Sequence, residues 1–194
     1  MTRRALLPCL LIALSACAKG DRGPTSTTLV ESPSVQLLHP ALSPDGGRLA
    51  WGQPVNGQAA IHVANADGGN PVVLTHGSWD FDPVWSPDGR WIAYEAEGPD
   101  FDLMVVPSDG GEPRQLTSEP GREAPVGWLA DGSGVVFFHV GAGDAQTLVA
   151  PLKGGPARAI VPPMGGDQYV LVSPDGSKAV LYLSRGSQGT FWVQ

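Results

Sequence analysis

Cysteine is nearly missing from this chain: two residues in 194, Cys9 and Cys17, beside four histidines and three methionines. A disulfide framework or a cysteine-rich zinc site needs more thiols than that. Charge is also scarce, at 16% of residues against the usual quarter, which excludes a polyelectrolyte tail. Twelve Lys and Arg stand against nineteen Asp and Glu, so a nucleic-acid partner, which requires clustered cations, is excluded. The longest apolar stretch, Ala5–Cys17, is too short for the roughly 20 residues of a transmembrane helix and carries Pro8. Catalytic signatures are missing too: no G-x-S-x-G elbow, no H-E-x-x-H and no P-loop. Gly186-Ser187-Gln188-Gly189 has the wrong spacing for an elbow and reads as a hairpin loop.

What is present begins with an address. Arg3 and Arg4 precede an apolar run that ends in Leu14-Ser15-Ala16-Cys17, the layout of a secretory signal. Leu14–Cys17 resembles the lipobox of bacterial lipoproteins. That resemblance implies cleavage between Ala16 and Cys17, lipidation of Cys17, and anchoring in the cell envelope through more than one acyl chain. Ala18 after the cysteine points to the periplasmic face of the outer membrane. Loss of Arg3 and Arg4 leaves ten basic residues against nineteen acidic ones, a balance of −9. Residues 1–16 are thus expected to be a signal and 17–34, rich in Gly, Pro, Ser and Thr, a flexible tether reaching roughly 20–25 Å.

The 26 glycines and 19 prolines would suggest disorder if they were unpatterned. Many of them fall on a period. Ser43-Pro44-Asp45-Gly46 recurs as Ser86-Pro87-Asp88-Gly89, as Leu129-Ala130-Asp131-Gly132 and as Ser173-Pro174-Asp175-Gly176, its aspartates stepping by 43, 43 and 44. Asp67-Gly68-Gly69, Asp109-Gly110-Gly111 and Lys153-Gly154-Gly155 keep the same phase. In the first motif, proline presets a type I turn, Ser and Asp bond nearby backbone, and Gly takes the left-handed position. Short β-rich runs flank each turn, predicting four antiparallel strands per unit of roughly 43 residues, the layout of a propeller blade.

The unit D-x-P-x-W-S-P-D-G-x-x-I-A-Y, followed by L-x-V and D-G-G-x-x-R-x-L-T, resembles the repeat of TolB-type propellers and of the N-terminal propellers of prolyl-oligopeptidase-type serine peptidases. Residues 82–117 carry it almost throughout, and the third copy departs from it at Leu129-Ala130 and Lys153. The resemblance implies an all-β propeller over 35–194, with blades at about 40–75, 82–117, 125–160 and 169–194. Three blades would be complete and the fourth partial. Ser34–Pro40 can be read as a strand donated to close the fourth. Alternatively the ring is unfinished and its open edge invites self-association.

Four histidines, His39, His62, His76 and His139, show no metal-ligand spacing. Asp80-Phe81-Asp82 and Asp100-Phe101-Asp102 repeat a D-F-D pattern, but two carboxylates do not make a calcium site. No metal or other cofactor is expected. Loops at one phase of a propeller gather at one mouth of its channel, which selects His39, His76, Trp79, Asp80, Asp82, Arg122, Glu123 and Asp167 as candidate binding residues. Asp45, Gly46, Asp88, Gly89, Asp131, Gly132, Asp175 and Gly176 are assigned to the turns.

The function expected from these features is non-enzymatic: a lipid-anchored envelope scaffold that binds a protein partner. The alternative is the substrate-gating propeller of a prolyl-oligopeptidase-type serine peptidase whose catalytic domain lies elsewhere.

Overall fold

The computed structural model describes residues 37–143, 145–162, 165–173, 178–185 and 188–193. Cys17, Ala16 and the tether lie outside these, as do Asp175 and Gly176. The described residues form strands, turns and connections; none of their helices is long and apolar enough to cross a membrane.

Among the described residues, fifteen strands follow the period. The first repeat contributes β1 (Leu38–Leu42), β2 (Arg48–Val55), β3 (Gln58–Asn65) and β4 (Val72–Val73). The second contributes β5 (Asp80–Trp85), β6 (Trp91–Glu97), β7 (Phe101–Pro107) and β8 (Arg114–Gln115). The third holds β9 (Arg122–Trp128), β10 (Gly134–Val140), β11 (Gln146–Pro151) and β12 (Arg158–Ala159), and the last β13 (Asp167–Val172), β14 (Ala179–Arg185) and β15 (Gln188–Val193).

The turn chemistry explains why the first two strands of a repeat pair. Ser86 Oγ donates to Asp88 Oδ1 at 2.6 Å and accepts the Trp91 amide at 2.9 Å, while the Gly89 amide reaches Ser86 O. Ser43 and Asp45 repeat this around Arg48. Gly46, Gly89 and Gly132 have φ of 70°, 69° and 69°, which a side chain would strain. The degraded third copy keeps the Leu129–Gly134 backbone pairing and the Asp131 bond to the Ser133 amide.

The expected architecture of separate four-stranded blades requires correction. The strands form three sheets: β1-β2-β3-β4, an eight-stranded sheet running β12-β11-β10-β9-β7-β6-β5 with β8 also on β7, and β13-β14-β15. The second and third repeats merge because Phe101 of β7 pairs in parallel with Arg122 of β9. None of these sheets closes on itself, and the strands of the first repeat make no substantial contact with those of the last, so the described array is open. The donated-strand closure fails as well, because Leu38–Pro40 belongs to β1, which pairs with β2. The tight Ser43–Gly46 turn joins those two strands directly, so local pairing wins over a distant edge.

The core sits between successive repeats. Ala50, Ile61 and Val63 of the first pack on Trp85, Ile92, Tyr94 and Val106 of the second. Ala93, Leu103 and Val105 of the second pack on Trp128, Val135, Phe137 and Ala150 of the third. Each large aliphatic side chain so covered contributes about 1.5–3 kcal/mol. The registers Ala50–Val63, Ala93–Val105 and Val180–Val193 make Val180 and Val193 the fourth repeat's counterparts of these covered positions. There, however, Val193 is 72% and Phe191 70% exposed.

Candidate functional site

The first strands of the repeats, β1, β5 and β9, bring three of the sequence-selected residues together. His39 has φ of 47° and Asp82 φ of 56°; each precedes a proline and sits where its ladder slips register. Left-handed backbone ahead of proline costs about 1–3 kcal/mol per residue and persists only where surroundings hold it. His39 Nδ1 pairs with Asp82 Oδ1. Arg122 Nη2 lies 3.8 Å from Asp82 Oδ2.

Glu95 of β6 completes the cluster, and sequence reasoning did not select it. It is fully buried and receives Arg122 Nε at 2.6 Å and Nη2 at 3.0 Å in a bidentate pair. The hydrogen bonds it donates to Glu95, and the charge of that carboxylate, hold the guanidinium above its ordinary pKa against partial burial. Phe81 and Phe101, 6.0 Å apart edge to face, lie 5.8 and 5.9 Å from the Arg122 carbon. A signal for Glu95 existed: the same phase holds Gly52, Phe138 and Tyr182 in the other repeats, so a charge there is anomalous.

Beside this cluster lies a cavity of about 350 Å³ lined by His39, Pro40, Asp82, Pro83, Val84 and Pro125. Its rim takes one proline from each of three successive first strands.

The remaining selected residues are placed differently. Asp80 is buried, accepts the Gly77 amide at 3.0 Å and is hydrogen-bonded by the Thr75 hydroxyl; burial pushes its carboxyl up. Glu123 is also buried and is bonded by the Thr117 hydroxyl through Oε2, while Oε1 has no hydrogen-bond partner. Its carboxyl too is pushed up by burial. Thr75 and Thr117 accept the Ile61 and Leu103 amides, so each threonine links the third strand of one repeat to the first strand of the next. Asp167 accepts the Ala145 amide at 3.0 Å, joining the last two repeats. Trp79 is half-buried, bridges Ala59 and accepts the Glu97 amide. His76 is exposed on a separate cleft.

These residues sit in or next to strands rather than in open loops, because the first strand of each repeat starts before the apolar run that marks it in the sequence. No group of three or more His, Cys, Asp or Glu suited to a metal occurs among the described residues. The arrangement can hydrogen-bond a polar chain through the exposed parts of Arg122 and His39 over a proline rim.

Phased strands with turn-locked hairpins and cores between repeats define a propeller-type repeat protein, here in an open array. The chain belongs to the TolB beta propeller domain family, which matches residues 21–194. It is 34% identical over 122 residues to the uncharacterised peptidase YuxL of Bacillus subtilis, covering 57% of this chain and 18% of that protein. Among solved structures it is similar to a TolB-type protein of Agrobacterium tumefaciens, at 24% identity and TM-score 0.74, over 91% of this chain and 67% of that one. A puromycin-hydrolysing peptidase of Mycobacterium tuberculosis matches at 22% identity and TM-score 0.66, over 86% and 28% of the two chains. At those identities the structural likenesses show the fold alone. The chain spans less than half the length of the curated relatives it matches.

Proposed function

We propose that this chain is the non-catalytic, substrate-gating propeller segment of a serine peptidase of the prolyl-oligopeptidase type. The observation that carries this reading is the 34% identity to a peptidase over more than half of the chain. The His39, Asp82, Arg122 and Glu95 cluster beside its proline-rimmed cavity supports it, since charged groups held together across the first strands of successive repeats can select which peptides pass. The test is purification of the natural gene product from its own cells, followed by labelling with a fluorophosphonate probe for serine hydrolases. A labelled band in the same chain or bound to it is expected. Absence of any labelled band overturns the reading.

A second reading is favoured by Leu14-Ser15-Ala16-Cys17: an envelope lipoprotein, anchored through Cys17, that presents the array to an envelope protein. The match to TolB-type proteins supports it. Metabolic labelling with an alkyne fatty acid tests it, with incorporation expected in the native chain and lost in Cys17→Ala. Equal labelling of both chains, or none of either, contradicts lipidation at Cys17.

A further inference from the structure

Among the described strands, one long sheet edge is left unguarded. The edge strands β4, β8 and β12 have two residues each, while β1 and β5 carry Pro40 and Pro83. The outer side of β13 is taken by the third repeat, where the Gln168 amide donates to the Ala145 carbonyl and the Val170 amide to Thr147 Oγ1. β15 has no such protection. Its six residues include neither proline nor charge, and it pairs with β14 alone. Proteins ordinarily blunt an exposed edge with a short strand, a proline or a charge.

The register shows which groups this edge presents. Phe191 stands opposite Tyr182 as Ile61 stands opposite Gly52, Leu103 opposite Glu95 and Thr147 opposite Phe138. In those three repeats the residue turns its main chain away from the second strand, and the Ile61, Leu103 and Thr147 carbonyls accept the Leu74, Leu116 and Ile160 amides. Phe191 therefore directs both its amide and its carbonyl outward, and no strand among the described residues meets them. Its ring is 70% exposed. It ends a cross-strand row in which the Tyr169 and Tyr182 centroids lie 5.8 Å apart and those of Tyr182 and Phe191 4.6 Å apart.

We propose that β15 is a self-pairing edge, at which two copies of this chain join β15 to β15 antiparallel about a two-fold axis at Phe191. Such an axis sets one residue opposite itself, and Phe191, with both main-chain groups outward, exchanges both hydrogen bonds with its own copy. The pairing merges two three-stranded sheets into one of six strands and carries the aromatic row across the axis. Val193 of each copy, 72% exposed in the single chain, comes to stand opposite Gly189 of the other. Aromatic side chains facing each other across strands add to the backbone pairing. A second copy fits this edge because an uncharged strand meets no repulsion from itself. The inference does not depend on the gating reading.

The experiment is sedimentation velocity of the full chain in reducing buffer over a range of concentrations, with Phe191→Lys and Phe191→Glu measured alone and in equal mixture. The native chain is expected to dimerise. Either variant alone sets like charges at the axis and weakens dimerisation by more than about tenfold. The mixture restores a dimer, because opposite charges then face each other. Leu171→Lys, a change at a 61% exposed position on β13, leaves the dimer intact. Thermal unfolding confirms that the variants are folded. A monomeric native chain, Phe191 variants that associate as the native chain does, a mixture that stays monomeric, loss of the dimer in Leu171→Lys, or oligomers that keep growing with concentration overturns the proposal.

Discussion

Trp85 donates its indole N–H to the main-chain carbonyl of Ala41, 3.0 Å away and 44 residues earlier. Trp128 makes the same bond to Val84 at 3.1 Å, again across 44 residues. Each tryptophan thereby fastens the first strand of one repeat to that of the repeat before it, while its ring fills the core between them. The Arg48 guanidinium lies 5.1 Å above the Trp85 ring, adding a cation to the same joint. Trp85→Phe keeps most of the apolar volume and removes the bond, so a loss of about 1–2 kcal/mol is expected. Urea denaturation checks this through a lowered midpoint at unchanged slope; Trp85→Ala should lose about 3–5 kcal/mol.

Arg122 and Glu95 form an unequal pair, since the carboxylate is fully buried and the guanidinium is not. Removing the cation leaves a buried charge without compensation. Arg122→Ala should therefore cost about 3–5 kcal/mol, and the double variant Arg122→Ala with Glu95→Gln should recover part of it. A double-mutant cycle by chemical denaturation measures the coupling.

Glu123 sets a pH dependence whose sign follows from burial. Its folded-state pKa lies above the unfolded one, so the folded chain holds the extra proton between the two values. Stability contributed by this group is thus greatest below the unfolded pKa and declines as pH rises through the folded one. Glu123→Gln can still accept the Thr117 hydrogen bond without carrying charge. It should flatten that decline and be at least as stable as the native chain at neutral pH, measured by denaturation at several pH values.

Asp88 acts in the opposite direction. The Ser86 hydroxyl, with help from Arg90, holds its carboxyl down to about 2 despite some burial. Its contribution is complete above the unfolded pKa near 3.9 and is lost as pH falls towards about 2. Asp88→Asn should remove that part of the acid dependence, seen as a shallower loss of stability between about pH 4 and 2.

The hairpins were legible because their signals are local: proline, aspartate and glycine at fixed offsets dictate the Ser43 and Ser86 turns. Sheet order was not legible, because the Phe101–Arg122 pairing that merges two repeats depends on how they settle against each other in space. In the candidate site, the sequence phase selected His39, Asp82 and Arg122. It also selected Asp80 and Glu123, whose threonine partners Thr75 and Thr117 close them into the joints between repeats. Glu95 was marked only by phase, as a carboxylate where the other repeats hold Gly52, Phe138 and Tyr182; that it lies buried under Arg122 from another repeat depends on how the repeats meet in space.

The central claim, that the His39, Asp82, Arg122 and Glu95 cluster gates peptides for a peptidase unit, is tested most directly by substrate selectivity in the natively purified protein. The measurement is the ratio of kcat/KM for a long peptide to that for a short one, compared between the native chain and one carrying His39→Ala and Asp82→Ala. A gating cluster predicts that the ratio rises when it is removed. An unchanged ratio in a folded variant would contradict the account.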